Sequence, residues 1–301
     1  MRTLSPLALA SALALLAGCT TPSAEAPLPA DAPTETAQNS SAFLILPAEP
    51  SLQGSFDAST LAEACTEVDS LRVEGHVFVD DLDGDLPDLT CLTVVTGDLV
   101  VEGNPGLRSL DGLIELRSVG GDIVVRDNPE LEDLLGLGRV RRAGSLTIER
   151  NDSLVDLEGL DKLEDLGEHL TVAGNASLET LEGMLSLGAS FSGDLIVLDN
   201  PQLVSLSGLD SVTNLDGTLE ITGNDSLADL DGLEALRTVA DTLRVHANAS
   251  LTDVVALHGV QYVGGDLLVT DNPALEAKAV DSLSAAILEV EGSVILDGNG
   301  I

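Results

Sequence analysis

The sequence predicts an all-β-rich solenoid, a right-handed parallel β-helix of stacked coils of about 24 residues with capped ends. Three observations predict it. An asparagine recurs at Asn104, Asn128, Asn151, Asn175, Asn200, Asn224, Asn248, Asn272 and Asn299, spaced by 24, 23, 24, 25, 24, 24, 24 and 27 residues. Aliphatic residues keep fixed offsets from it. The chain is 44% hydrophobic yet has no Trp, one Tyr and four Phe. A core of stacked aliphatic rungs needs few aromatic anchors, and self-similarity at this period is the mark of a solenoid or array.

The first residues read as a targeting segment, 1–18. Arg2 gives a weak positive region, and Leu4 to Leu16 is an apolar stretch too short to span a bilayer. It ends in Leu16-Ala17-Gly18-Cys19, which resembles a bacterial lipobox. That resemblance implies a diacylglyceryl group on the Cys19 thiol, cleavage before it, and acylation of the new amine. Two or three acyl chains anchor stably where one is marginal. Thr20 follows, where an aspartate would resemble an inner-membrane retention signal, so the outer membrane is expected. Residues 19–50 are rich in Pro, Ala, Ser and Thr and read as an extended tether, interrupted by Phe43-Leu44-Ile45-Leu46.

Residues 51–96 read as an N-terminal cap. Cys65 and Cys91, 26 apart in a chain expected to be exported, point to one disulfide; free thiols or a metal pair are the alternatives. Such a bridge is worth roughly 3 kcal/mol in the chain-entropy account. Val77-Phe78-Val79 with Leu86, Leu89 and Leu92 makes a shortened first coil, with Leu82 in the asparagine's place.

The regular solenoid is expected over 97–301. The residues five and three before each asparagine are aliphatic throughout, as in Leu99 and Val101 or Leu243 and Val245. With a variable residue between them they read as a strand with alternate side chains buried. The asparagine ends the strand, and stacked copies are expected to form an inward ladder that satisfies turn amides. Leucines then recur every three residues, as at Leu107, Leu110, Leu113 and Leu116, a period that suits short extended or 3₁₀-like segments. Gly112, Gly136, Gly159, Gly183, Gly208 and Gly232 share one position, read as a corner with positive φ. Ala274 to Glu291 departs from the pattern and is expected to hold a short helix before a last strand, Val294-Ile295-Leu296.

Ile123-Val124-Val125-Arg126-Asp127-Asn128 fits the L-x-L-x-x-N core of leucine-rich repeats. The longer phrase from Gly121-Asp122 to Pro129-Glu130-Leu131 resembles the receptor L-domain group of solenoids, over roughly residues 60–301. The resemblance implies LRR-like coils and a binding solenoid. With no kinase and no Cys-rich module in the sequence, receptor function does not carry over.

The net charge of −38, from 13 basic against 51 acidic side chains, makes nucleic acid a poor partner. Removing 1–18 takes away only Arg2, and the remaining 12 basic side chains leave −39. No catalytic motif is present, and His76, His169, His246 and His258 pair with no nucleophile by spacing; His169 and His246 are expected on strand faces. Arg126, Arg139, Arg141, Arg142 and Arg150 form the one local basic cluster, read as a solvated face. Asp81, Asp83 and Asp85 resemble part of a calcium loop, but the twelfth position from Asp81 is Leu92 rather than Glu. No cofactor is implied beyond the lipid on Cys19.

What remains is the exposed side of the sheet. The columns four and two before each asparagine vary while their neighbours do not. They give a candidate binding face of Val100, Glu102, Val124, Arg126, Thr147, Glu149, Ile196, Leu198, Glu220, Arg244 and His246. Outward aliphatics favour a protein partner, and the lack of aromatics argues against sugar-ring stacking. The leading expectation is a non-enzymatic binding or adhesion module on the outer membrane. A structural or self-associating envelope protein is the alternative, and a polysaccharide-active enzyme the third.

Overall fold

The computed structural model describes residues 50–300. The targeting segment, Cys19 and the tether up to residue 49 lie outside the described residues. The molecule is a parallel β-solenoid. Its front sheet has eleven strands. It runs from Phe56–Asp57 and Val77–Asp80 through Leu99–Glu102, Ile123–Arg126, Leu146–Glu149, Leu170–Ala173, Leu195–Leu198, Leu219–Thr222, Leu243–His246 and Leu267–Thr270 to Val294–Ile295. At about 4.8 Å per strand, the front sheet is on the order of 50 Å long. Shorter parallel strands on a second side form sheets of four, two and five.

The repeat explains the register. Leu99, Ile123 and Leu146 are cross-strand partners, as are Val101, Val125 and Ile148. A shift of one residue would turn each of these inward side chains to solvent. All six are fully buried. The leucines at three-residue spacing are also fully buried and sit in tight turns. Leu113 N–H donates to Leu110 O at 2.8 Å, and Leu116 N–H to Leu113 O at 2.8 Å. Three of these turns are 3₁₀ segments: Asp111–Leu113, Leu135–Leu137 and Val255–Gly259. Burying one leucine contributes about 2 kcal/mol over leaving it exposed, most of it offset by the cost of ordering the chain.

Two helices interrupt the pattern. The first, α1, is Ala58–Cys65 in the cap. Asp57 caps it by accepting from Thr60 N–H at 2.8 Å, and Leu61 and Ala64 face the core. Cys65 is bonded to Cys91. The second, α2, is Ala277–Ala286, inside the stretch where a short helix was expected.

The shortened first coil expected at Val77-Phe78-Val79 is part of the stack, and one further strand precedes it. Phe56–Asp57 and Val77–Asp80 already belong to the front sheet, because strand pairing needs only backbone and an inward side chain, not the asparagine. The shared glycine position also needs correction. Gly159, Gly183, Gly208 and Gly232 have positive φ, but Gly112 and Gly136 do not. What all six share is closeness to the coil before. A Cβ on Gly136 would lie 1.7 Å from Leu110 O, and one on Gly112 2.4 Å from Pro87 O.

Candidate functional site

The asparagines form a continuous ladder inside the coils. Those from Asn104 to Asn272 are all fully buried. Asn104 is typical: its N–H and its Nδ2 both donate to Asn128 Oδ1, at 3.2 and 2.8 Å, while Nδ2 also donates to Val79 O at 3.0 Å. Asn200 repeats this with Asn224 Oδ1 and Val172 O. Leu82 N–H starts the ladder by donating to Asn104 Oδ1 at 2.9 Å. Each carboxamide is thus fully used by the fold, and none is free to hold a ligand.

Three more columns recur with the coils, and the sequence reasoning missed them. The residue before each ladder position is left-handed: Asp81, Gly103, Asp127, Arg150, Gly174, Asp199, Gly223, Ala247, Asp271 and Gly298. The enrichment in Gly and Asp there was the available signal. The residue just before a regular strand carries a side-chain acceptor for the next coil at Asp98, Asp122, Ser145, His169, Asp194 and Asp266. Asp98 Oδ1 accepts from Asp122 N–H at 2.9 Å, Asp122 Oδ1 from Ser145 N–H at 2.8 Å, and Asp194 Oδ1 from Thr218 N–H at 2.7 Å. The residue five after each asparagine from Asn104 to Asn248 is Ser, Thr or Asp. It accepts from the N–H two residues on, as Asp133 does from Leu135 and Asp253 from Val255. Part of the acidic composition is therefore structural. Asp98, Asp122, Asp194, Asp133 and Asp253 serve backbone amides.

The front face is the surface left over. Its eleven expected residues all point outward, each partly exposed, in two columns aligned by strand pairing. One column runs Val100, Val124, Thr147, Thr171, Ile196, Glu220, Arg244; the other runs Glu102, Arg126, Glu149, Ala173, Leu198, Thr222, His246. The charges are paired within the face. Arg126 Nη2 lies 2.8 Å from Glu102 Oε2, and Arg244 Nε 3.6 Å from Glu220 Oε1. Glu149 pairs with Arg150, and His246 Nδ1 lies 2.9 Å from Thr270 Oγ1. The hydrogen bond to Glu102 raises the Arg126 pKa, so this arginine stays charged. The aliphatic side chains have no such partner. Phe78 extends the Val100–Val124 strip by one coil, since it is the cross-strand partner of Val100. It was overlooked because its coil lacks the asparagine from which the columns were counted.

Other sequence candidates do not assemble. Arg126, Arg139, Arg141, Arg142 and Arg150 each meet a carboxylate on a neighbouring coil: Glu102, Glu115, Glu164, Asp165 and Asp127 respectively. Repeats that place Arg over Glu leave no bare cationic patch in this cluster. His169 is not on a strand face. It precedes Leu170–Ala173 and its Nδ1 accepts from Asp194 N–H at 3.0 Å, so it is a member of the strand-entry column. Asp81, Asp83 and Asp85 are all exposed. Among the described residues no three His, Cys, Asp or Glu side chains converge on a common point. A cleft of about 250 Å³ lies between Val255–Gly259 and α2, lined by Val254, Val255, His258, Glu276, Lys278, Ala279 and Ser282. His258 Nε2 has no hydrogen-bond partner among the described residues, so it is not bonded to Ser282.

No protein-family model matches the chain, and no curated protein matches it. Any functional reading therefore rests on the sequence and the geometry.

Proposed function

We propose that the protein is a non-enzymatic binding or adhesion module of the bacterial cell envelope, held by lipid on Cys19 and taking a protein partner on its front face. The observation that carries this reading is the state of that face. Its charges are paired across neighbouring strands, while Phe78, Val100, Val124, Ile196 and Leu198 present apolar surface outward. Phe78, Val100 and Val124 stand on successive paired strands, with Ile196 and Leu198 together further along, and contiguous outward apolar side chains commonly mark a contact site. The likeness to leucine-rich repeats and receptor L-domains supports the same architecture-level reading. The lipobox-like Leu16-Ala17-Gly18-Cys19 supports the anchor, and Thr20 the outer membrane.

The test is crosslinking on intact cells, followed by capture of the crosslinked partner. A chain carrying Arg126→Glu, Ile196→Glu and Leu198→Glu is expected to lose that partner; undiminished capture would remove the front face as the site. Fatty-acid labelling is expected to vanish in Cys19→Ser. Assembly of the folded body with itself at rising concentration would instead favour a structural envelope protein, a reading the charge of −38 opposes through self-repulsion.

A further inference from the structure

The front face changes chemistry along its length, and the change lies at its first coils. On Val77–Asp80 the buried side chains of Val77 and Val79 alternate with Phe78 and Asp80, which point outward. Strand pairing sets Phe78 opposite Val100 and Val100 opposite Val124. It likewise sets Asp80 opposite Glu102 and Glu102 opposite Arg126. An apolar strip and a charged strip thus run side by side across these paired strands, each about 10 Å long.

The charged strip lacks one cation. Like charges directly opposite each other on paired strands repel, and Asp80 and Glu102 are such a pair. Arg126 relieves the pair from one side only, with Nη2 2.8 Å from Glu102 Oε2. Asp80, in the coil that lacks the asparagine, is the exception to the pairing of charges on this face. It is exposed and has no ion-pair or side-chain hydrogen-bond partner among the described residues, and the same holds for Asp81, Asp83 and Asp85 beside it. The other carboxylates around Phe78 are committed. Asp57, its cross-strand partner, accepts from Thr60 N–H and the Ser59 hydroxyl. Asp98 accepts from Asp122 N–H with one oxygen and lies 3.0 Å from His76 Nδ1 with the other. Further along the face, Ile196 and Leu198 have neutral cross-strand neighbours in Thr171, Ala173 and Thr222, and Glu220 is met by Arg244. An unneutralised carboxylate beside an outward aromatic ring therefore belongs to the Phe78 end.

One side-chain chemistry fits that end. The head of an Arg or Lys meets Asp80 in a charge-assisted hydrogen bond and completes the alternation of charge that Glu102 and Arg126 begin. Its apolar stem lies along Val100, and its charge favours the ring face of Phe78. The protein's own charge of −38 makes a second copy a poor source of that cation.

We propose that the Phe78–Asp80 end of the front face takes a basic side chain from a segment of the protein partner, whose neighbouring apolar residues cover Val100 and Val124. This rests on the reading of the front face as the partner's site and adds which chemistry lands at which end.

The probe is a capped peptide of alternating leucine and arginine with a photoreactive leucine at its centre, titrated against the full chain. Saturable binding is expected, with labelling confined to Val77–Asp80, Leu99–Glu102 and Ile123–Arg126. Phe78→Ala and Asp80→Asn are each expected to weaken binding about tenfold. Replacing the peptide's arginines by citrulline, which keeps the shape and removes the charge, is expected to weaken it as much. Asp281→Asn, at an exposed carboxylate on α2, is expected to leave binding unchanged. Both substituted side chains on the face point outward, so unchanged melting temperatures are expected and keep the variants interpretable. Absence of saturable binding, labelling elsewhere, or equal binding by Asp80→Asn overturns the proposal. So does displacement of the peptide by equimolar calcium chloride, which would give the carboxylates to a metal ion, or dimerisation of the protein alone through Phe78, which would give the strip to a second copy. Crosslinking on intact cells separates the proposal from the reading beneath it. A partner lost in Ile196→Glu with Leu198→Glu but kept in Phe78→Ala with Asp80→Lys overturns the basic anchor and leaves the front face standing. A partner kept in both removes the face, and the proposal with it.

Discussion

At the N-terminal end, α1 lies against the strands Phe56–Asp57 and Val77–Asp80 and puts Leu61 and Ala64 into the core. Leu52 and Phe56 are buried there too, and the Cys65–Cys91 bond ties the helix to the segment leading into Leu92–Val95. At the C-terminal end, α2 packs sideways on the 3₁₀ segment Val255–Gly259, and the last strand keeps an exposed edge. Leu288, just before the last side strand, is 80% exposed. Both ends carry one helix and short strands. The difference lies in what the helix covers. Each buries apolar side chains, Leu61 and Ala64 from α1 and Val280 and Leu283 from α2, but α1 lies against front-sheet strands and α2 against a corner segment. In a solenoid each coil touches only its neighbours, so such differences stay local, and they can be tested coil by coil.

The largest contrast is expected along the ladder. Asn200→Ala leaves Asn175 N–H without its acceptor, leaves Asn175 Nδ2 with Ile148 O alone, and takes a donor from Val172 O, all in a buried site. At about 1–2 kcal/mol for each orphaned group, the loss is expected to be about 4 kcal/mol by denaturant titration. Asn299→Ala, half-buried at the open end, is expected to cost less than half as much. Equal losses would mean that the end is as closed as the middle.

Removing the cap's bond comes next. Cys65→Ser with Cys91→Ser is expected to cost about 3 kcal/mol. Hydrogen exchange should report it near the N-terminal end, with faster exchange in Leu71–Glu74 and Val77–Asp80 and little change in Leu243–His246. Uniform loss along the chain would overturn the nearest-neighbour picture.

Val245→Ala in the closed middle is expected to cost about 2 kcal/mol, and Val294→Ala at the open edge well under 1 kcal/mol. Thermal melts of the two variants side by side check the ratio. A smaller effect of opposite sign is expected from Ala247→Gly. Ala247 has φ 52°, in the left-handed region. Glycine there should stabilise by about 1 kcal/mol, partly offset by the freedom glycine gains in the unfolded chain.

The smallest effect concerns acid. The hydrogen bond from Arg150 holds the Asp127 carboxyl below the usual range. Its folded pKa is thus lower than its unfolded one. The contribution is present above the unfolded pKa, about 3.9, and is lost as pH falls through the folded value. In Asp127→Asn, the dependence of melting temperature on pH below about 4 is expected to be shallower than in the parent. At neutral pH the change should be small, because the pair is solvent-exposed.

Much of the solenoid was legible because each coil repeats the same demand. Leu99 and Val101 must point inward, and the asparagine two residues past the strand must feed the next coil, so both recur unchanged. The two face columns were legible by subtraction for the same reason. The missed columns failed for a chemical reason. Asp98, Ser145 and His169 look unrelated as letters but do one job, offering an acceptor to the next coil's amide. Gly103, Asp127 and Ala247 likewise share a backbone conformation, not a side-chain type. Phe78 escaped because the column was counted from an asparagine that its coil lacks.

By itself, then, the sequence determined the period, the inward residues, the ladder and the pairing of Cys65 with Cys91 as the leading reading of its two cap cysteines. These depend on identity at fixed spacing, which is all that a one-dimensional stack requires. Only the tertiary structure decided that the arginines are spent on carboxylates of adjacent coils, that α1 lies on front-sheet strands while α2 lies on a corner segment, and that Val294 stands half exposed. Each of these depends on which coil lies next to which surface, and a periodic sequence does not state where its own stack is covered.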